Sequence, residues 1–170
     1  MVIEESVLIN ADLKKIWKTF TDLTCWADWN TVASKAASDS GRLDEGENFT
    51  FCLRPFSVPI MIEPKIEEVV PREKVVWTGT KFGIFSRHEF LFQQVANGVL
   101  VTSREAFRGM PLLFGGITFP ESTVRELTVG MLNDLKKAAE KEISRQGDTG
   151  TRGQGDTGKH QEPTKPDKSN

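Results

Sequence analysis

Tyrosine is absent from these 170 residues, and cysteine and histidine occur only twice each. Cys25 and Cys52 are too few for a disulfide framework and, beside His88 and His160, too scattered for a metal cluster. They read as free thiols in a reducing compartment. A basic excess is also missing: the net charge is −2 and the pI about 5.8. That argues against nucleic acid or an anionic membrane as a partner. No apolar run approaches the roughly 20 residues of a membrane helix. The N-terminus, MVIEESVLIN, has acids where a signal peptide carries basic residues. A cytoplasmic protein with no metal and no cofactor is therefore expected, and the Asn48-Phe49-Thr50 sequon carries no weight.

What is present is periodicity. The stretch from Pro120 to about Arg145 has Val124, Leu127, Met131, Leu135 and Ala138 on one helical stripe, with Arg125, Asn133, Lys136, Lys137, Glu140 and Lys141 elsewhere. Acids stand near its start and bases near its end, as the helix dipole favours. Almost everything upstream reads as strand. VIEESVLI (2–9) is a first strand. Asp12 is placed as N-cap of a helix with Leu13, Ile16, Trp17 and Phe20 on one side. A short helix at about 22–29 carries Trp26 and Trp29. This tryptophan cluster either packs a helical pair onto the sheet or sets one ring at the edge of a ligand cavity.

Residues 32–39 are a weak strand. Phe49, Phe51 and Leu53 alternate with Thr50, Cys52 and Arg54. Residues 60–70 alternate as well, interrupted by Pro64, which points to an edge or a bulge. Val75–Gly79 is another strand. Asn97-Gly98 is a strong hairpin signal. A turn on those two residues pairs Ala96 with Val99, Phe92 with Ser103, Phe90 with Glu105 and His88 with Phe107. His88, Phe90, Phe92, Val99, Val101 and Phe107 then share one face. Glu105 lies on that face diagonal to His88, and Ser103 extends the polar strip. A carboxylate and an imidazole in an apolar hollow are candidates for proton transfer or for anchoring a ligand, or else a satisfied structural pair. Arg54, Glu63 and Arg104 fall on the opposite, solvent-facing side.

Residues 108–119, RGMPLLFGGITF, are apolar and aperiodic, as for a packed loop or a cavity rim. From residue 146 no large apolar side chain remains, so 146–170 is expected to be a disordered low-complexity tail following one domain over 1–145. Within it GQGDTGKH (153–160) has the spacing of a phosphate-binding loop. It lacks the preceding strand and following helix that aim backbone amides at phosphate.

The order of elements resembles the helix-grip fold of the SRPBCC superfamily, which includes START, polyketide cyclase/dehydrase-like and pollen-allergen-like proteins. VLINADLKKIWKTFTDLTCWADWN, RHEFLFQQVANGVLVTSREAFRG and LTVGMLNDLKKAAEK carry the likeness. It implies an α+β fold: a curved antiparallel sheet of about seven strands wrapped around the long C-terminal helix, with two short helices after the first strand. It further implies a hydrophobic cavity faced by Phe49, Phe51, Ile62, Trp77, His88, Phe90, Val101, Glu105, Leu127 and Met131. The implied function is binding or transport of a small lipid-, polyketide- or quinone-like ligand. The alternatives are a cyclase or dehydratase using His88 and Glu105, and an adaptor docking a protein through an outer apolar patch around Met110–Phe119. The missing phenols count against the enzyme, because they are useful acid donors beside an apolar substrate. No family catalytic residue maps onto His88 or Glu105.

Overall fold

A computed structural model describes residues 1–109 and 120–147, apart from the side chains of Phe56 and 142–147. The loop around 110–119 with its suggested docking patch, and the tail beyond 147 with its glycine-rich motif, lie outside the described residues.

Among the described residues eight strands form two antiparallel sheets. The larger has the order β1 (Val2–Ile9), β8 (Gly98–Arg108), β7 (Ile84–Val95), β6 (Lys74–Lys81), β5 (Lys65–Val70); the smaller has β2 (Ser34–Ala37), β3 (Thr50–Leu53), β4 (Ile60–Ile62). Pro64 explains the division. It cannot donate to a ladder, and it sits between β4 and β5, each an edge strand of its own sheet. An Asn48–Lys65 bridge joins the two sheets beside it.

Helix α1 (Leu13–Thr21) begins where expected, with Asp12 Oδ1 accepting the amides of Lys14 (2.9 Å) and Lys15 (3.2 Å). A 3₁₀ turn, Leu23–Cys25, leads into α2 (Trp26–Trp29). Ile16 and Phe20 are fully buried, with Leu13 and Trp17 packed at their margin. The long helix α3 (Glu121–Gly147) crosses the concave face and packs on β1 and α1. Its buried side is broader than one stripe: Leu132 and Ala139 are buried, while Ala138, expected in the core, is only half-buried. A helix seated between a sheet and a second helix buries a wider arc than a helix on one partner. Four hydrogen bonds fix its C-terminal half. Asp134 Oδ2 accepts from the amide (3.0 Å) and hydroxyl (2.6 Å) of Thr31, Glu140 Oε1 accepts from the Asn10 amide (2.8 Å), and Lys136 Nζ donates to the Leu8 carbonyl (2.6 Å). Nearer the N-terminus, Arg125 pairs with Glu5 and Glu121.

The β7–β8 hairpin forms, but its register differs from the sequence expectation. The turn is Ala96-Asn97, and Val95 pairs with Gly98. Phe92 therefore faces Val101, Phe90 faces Ser103, His88 faces Glu105, and Ser86 faces Phe107. Every residue keeps its predicted face, because the turn moves by one residue along both strands at once. The cause is Gly98. Its φ is +134°, and a Cβ there would stand 2.2 Å from the Ile9 carbonyl oxygen. Gly98 is consumed by close approach to the end of β1, so it pairs instead of turning. Neither Ala96 nor Asn97 takes a positive φ, so this is not the mirror-image turn that Asn-Gly favours. Gly98→Ala should cost about 1–3 kcal/mol, from backbone strain and overpacking together. Chemical denaturation would measure it, and a loss too small to detect would mean that β1 has room to yield.

Candidate functional site

Side chains of the large sheet alternate, so its concave face is a set of rows running across the strands. One row is Ile3, Glu105, His88, Trp77, Ile66. On one side of it lie Ser103, Phe90 and Val75, then Val101 and Phe92. Helix α1 fills that side. Phe20 stands 4.7 Å from Phe90 and 5.3 Å from Phe92 between ring centroids, and Trp17 lies 5.2 Å from Phe92. On the other side lie Phe107, Ser86 and Gly79, and there the space is not filled. A cavity of about 460 Å³ opens between these rows, the small sheet and the N-terminal half of α3.

Of the ten residues expected to face it, Phe51, Ile62, Trp77, His88, Glu105, Leu127 and Met131 are on its wall. Phe49, Phe90 and Val101 are not: they point to the expected side but are buried in the core. Trp26 does both things suggested for its cluster. It is buried, donates from Nε1 to the Phe20 carbonyl (2.8 Å), and also walls the cavity. Glu63, expected to be solvent-facing, is exposed yet also borders the cavity. Arg54 is exposed as expected, and Arg104 is exposed and pairs with Glu4. The sequence reading missed Val32, Ala33, Ser86 and Thr128. Ser86 was within reach of it, since it stands two residues before His88 on the same strand face. Val32 and Ala33 had no signal, because a weak strand does not reveal which way it faces.

The polar group in this wall is a buried chain. His88 Nε2 is 2.7 Å from Ser103 Oγ, and its Nδ1 is 3.6 Å from Glu105 Oε2. The imidazole stacks on Phe90 at 4.3 Å and meets Trp77 edge-on at 5.1 Å. Ser103 is fully buried, and the side chains of His88 and Glu105 are only 12% and 16% exposed. Apolar surroundings disfavour a charge on either group. Burial pushes the His88 imidazole down to about 3. It pushes the Glu105 carboxyl up to about 7, against an opposing hydrogen bond from Ser86. The pair is thus two neutral groups near pH 6, not a salt bridge. Among the described residues no cluster of His, Cys, Asp and Glu could hold a metal ion, and no helix is long and apolar enough to cross a membrane.

The profile of a family described as polyketide cyclase / dehydrase and lipid transport matches residues 1–140. No curated protein matches the chain. Among solved structures, the chain is similar to the di-domain ARO/CYC StfQ from the steffimycin biosynthetic pathway, with 13% identity, a TM-score of 0.68, and coverage of 84% of this chain and 52% of that one. It is also similar to the di-domain ARO/CYC BexL from the BE-7585A pathway, with 15% identity, TM-score 0.69, and coverage of 82% and 50%. A START superfamily protein from Mycobacterium smegmatis matches at 12% identity and TM-score 0.60, over 85% of this chain and 98% of its own. The chain spans about half the length of the two di-domain proteins. At these identities the likeness is one of fold.

Proposed function

The chain belongs to the polyketide cyclase / dehydrase and lipid transport family, and from that premise we propose that it binds or carries a small hydrophobic molecule in the cavity between its sheets and α3. The observation that carries this reading is the composition of that wall. About 460 Å³ is bounded by Trp26, Phe51, Ile62, Trp77, Leu127 and Met131, with the buried His88 and Glu105 set among them and exposed polar side chains such as Glu63, Lys81 and Arg108 also on its wall. Pockets for small ligands have this size and this balance of apolar wall and few polar anchors. The experiment is extraction and mass analysis of what the purified protein retains, followed by titration of the stripped protein with Nile red, a neutral lipophilic dye. Leu127 and Met131 project from α3 into the space. The Leu127→Trp/Met131→Trp double variant should therefore lower dye affinity about tenfold or more by occupying apolar volume. Its thermal transition should stay cooperative. Dye affinity unchanged in a folded double variant would sink the proposal.

Turnover is a second reading, a cyclase or dehydratase in which His88 and Glu105 exchange protons with a bound polyketide. One observation favours it: the two groups lie side by side in the wall with unlike titration behaviour. Neutral Glu105 is the natural proton donor and neutral His88 the acceptor.

A further inference from the structure

This inference rests on the cavity being a ligand site and concerns what the site selects. His88 Nδ1 and Glu105 Oε2 are 3.6 Å apart, beyond hydrogen-bond contact. His88 is committed through Nε2 to Ser103 at 2.7 Å, and the Glu105 carboxyl has the Ser86 hydroxyl beside it. Nδ1 of His88 and Oε2 of Glu105 thus stand near each other without bonding, and both residues are on the cavity wall. We propose that this pair reads a hydroxyl: the preferred ligand is an uncharged lipophile carrying an alcohol or phenol, whose oxygen approaches from the cavity and bonds both Nδ1 of His88 and the carboxyl of Glu105.

A hydroxyl donates one hydrogen bond while accepting another, which is what a neighbouring donor and acceptor require. An ether can only accept, so it leaves one of the two groups unpaired. A carboxylate head would bring a full charge against Trp77 without a compensating cation beside it. The cations on the cavity wall, Lys81 and Arg108, are exposed. Lys81 stands four residues along β6 from Trp77, about 13 Å at the rise of a strand. The neutrality of His88 and Glu105 supports the same preference, since neither offers an anion a positive partner.

The test is displacement of Nile red at about pH 6 by 2-naphthol, 2-methoxynaphthalene and 2-naphthoate, where the first two are neutral and the third is an anion. The naphthol should bind about tenfold more tightly than its methyl ether, the difference one buried hydrogen bond makes, and the naphthoate weakest of the three. Glu105→Gln keeps a donor and an acceptor in place and should preserve that order. Glu105→Leu and His88→Phe should bring naphthol and ether to equal affinity. Equal affinities in the wild-type protein, a preference for the naphthoate, or an order that survives Glu105→Leu would overturn the hydroxyl assignment and leave the cavity reading standing. The wild-type comparison decides the matter even if the apolar variants do not fold. Failure of the dye and all three naphthalenes to bind would overturn both.

Discussion

Replacing Phe20 by alanine is expected to lower the unfolding free energy by about 3–5 kcal/mol, the cost of emptying a closed aromatic site. Phe20 is fully buried, and its ring centroid lies 4.7 Å from Phe90, 5.3 Å from Phe92, 6.0 Å from Trp26 and 6.2 Å from Trp77. Its partners come from α2, β6 and β7, so its removal loosens the seating of the helical pair on the sheet as well as losing its own burial. The neighbours are rigid rings and cannot collapse into the vacancy, which places the cost in the upper part of the range. The void would adjoin the cavity, because Trp26 and Trp77 touch both. Urea denaturation followed by tryptophan fluorescence measures the effect. A loss under about 1 kcal/mol would mean that the core is not close-packed there.

Glu105→Gln should be nearly neutral for stability at about pH 4.5 and stabilising by about 2–3 kcal/mol at about pH 8.5. The sign follows from the direction of the shift. The folded-state carboxyl titrates at about 7, above its ordinary 4.5. The folded state therefore holds the proton more tightly than the unfolded chain does. That stability is complete below the ordinary value and is lost as pH rises through about 7. Glutamine carries no proton to lose, so the variant gains on the wild type across that interval. The figure is kept below the full linkage value because the carboxyl is 16% exposed. His88 acts in the opposite direction, contributing stability above about 6.5 that is lost as pH falls towards about 3. It is present in both proteins, so their difference isolates Glu105. Paired urea melts at the two pH values make the measurement. A difference that does not change with pH would mean that Glu105 is ionised throughout and that the polar chain in the wall is an ion pair.

Much of this architecture is legible along the chain. Apolar spacing locates α3, Asp12 marks the start of α1, and alternation assigns His88, Phe90, Phe92, Val101, Ser103 and Glu105 to one side of the sheet. These are local properties. A cap bonds amides two and three residues away, and a strand sends alternate side chains to opposite faces whatever it later packs against. The resemblance to helix-grip proteins rests on the same order of elements, and the family match over residues 1–140 agrees with it.

The hairpin partners and the membership of the cavity wall were not legible in that way. Asn97-Gly98 looks like a turn until β1 approaches, when the Ile9 carbonyl leaves no room for a side chain and moves the turn to Ala96-Asn97. That one-residue move brings His88 directly opposite Glu105. Phe90, Val101 and Trp77 have the same orientation on the sheet, yet only Trp77 walls the cavity.

The chain's own alternation and caps thus determine which elements form and which face each side chain takes, because those depend on neighbours in sequence. Which rows of the concave face are filled and which stay empty is decided in three dimensions, by where α1 sets Phe20 and Trp17 and where α3 comes to rest. Close packing is a property of surfaces brought together from distant parts of the chain, and no single segment carries it.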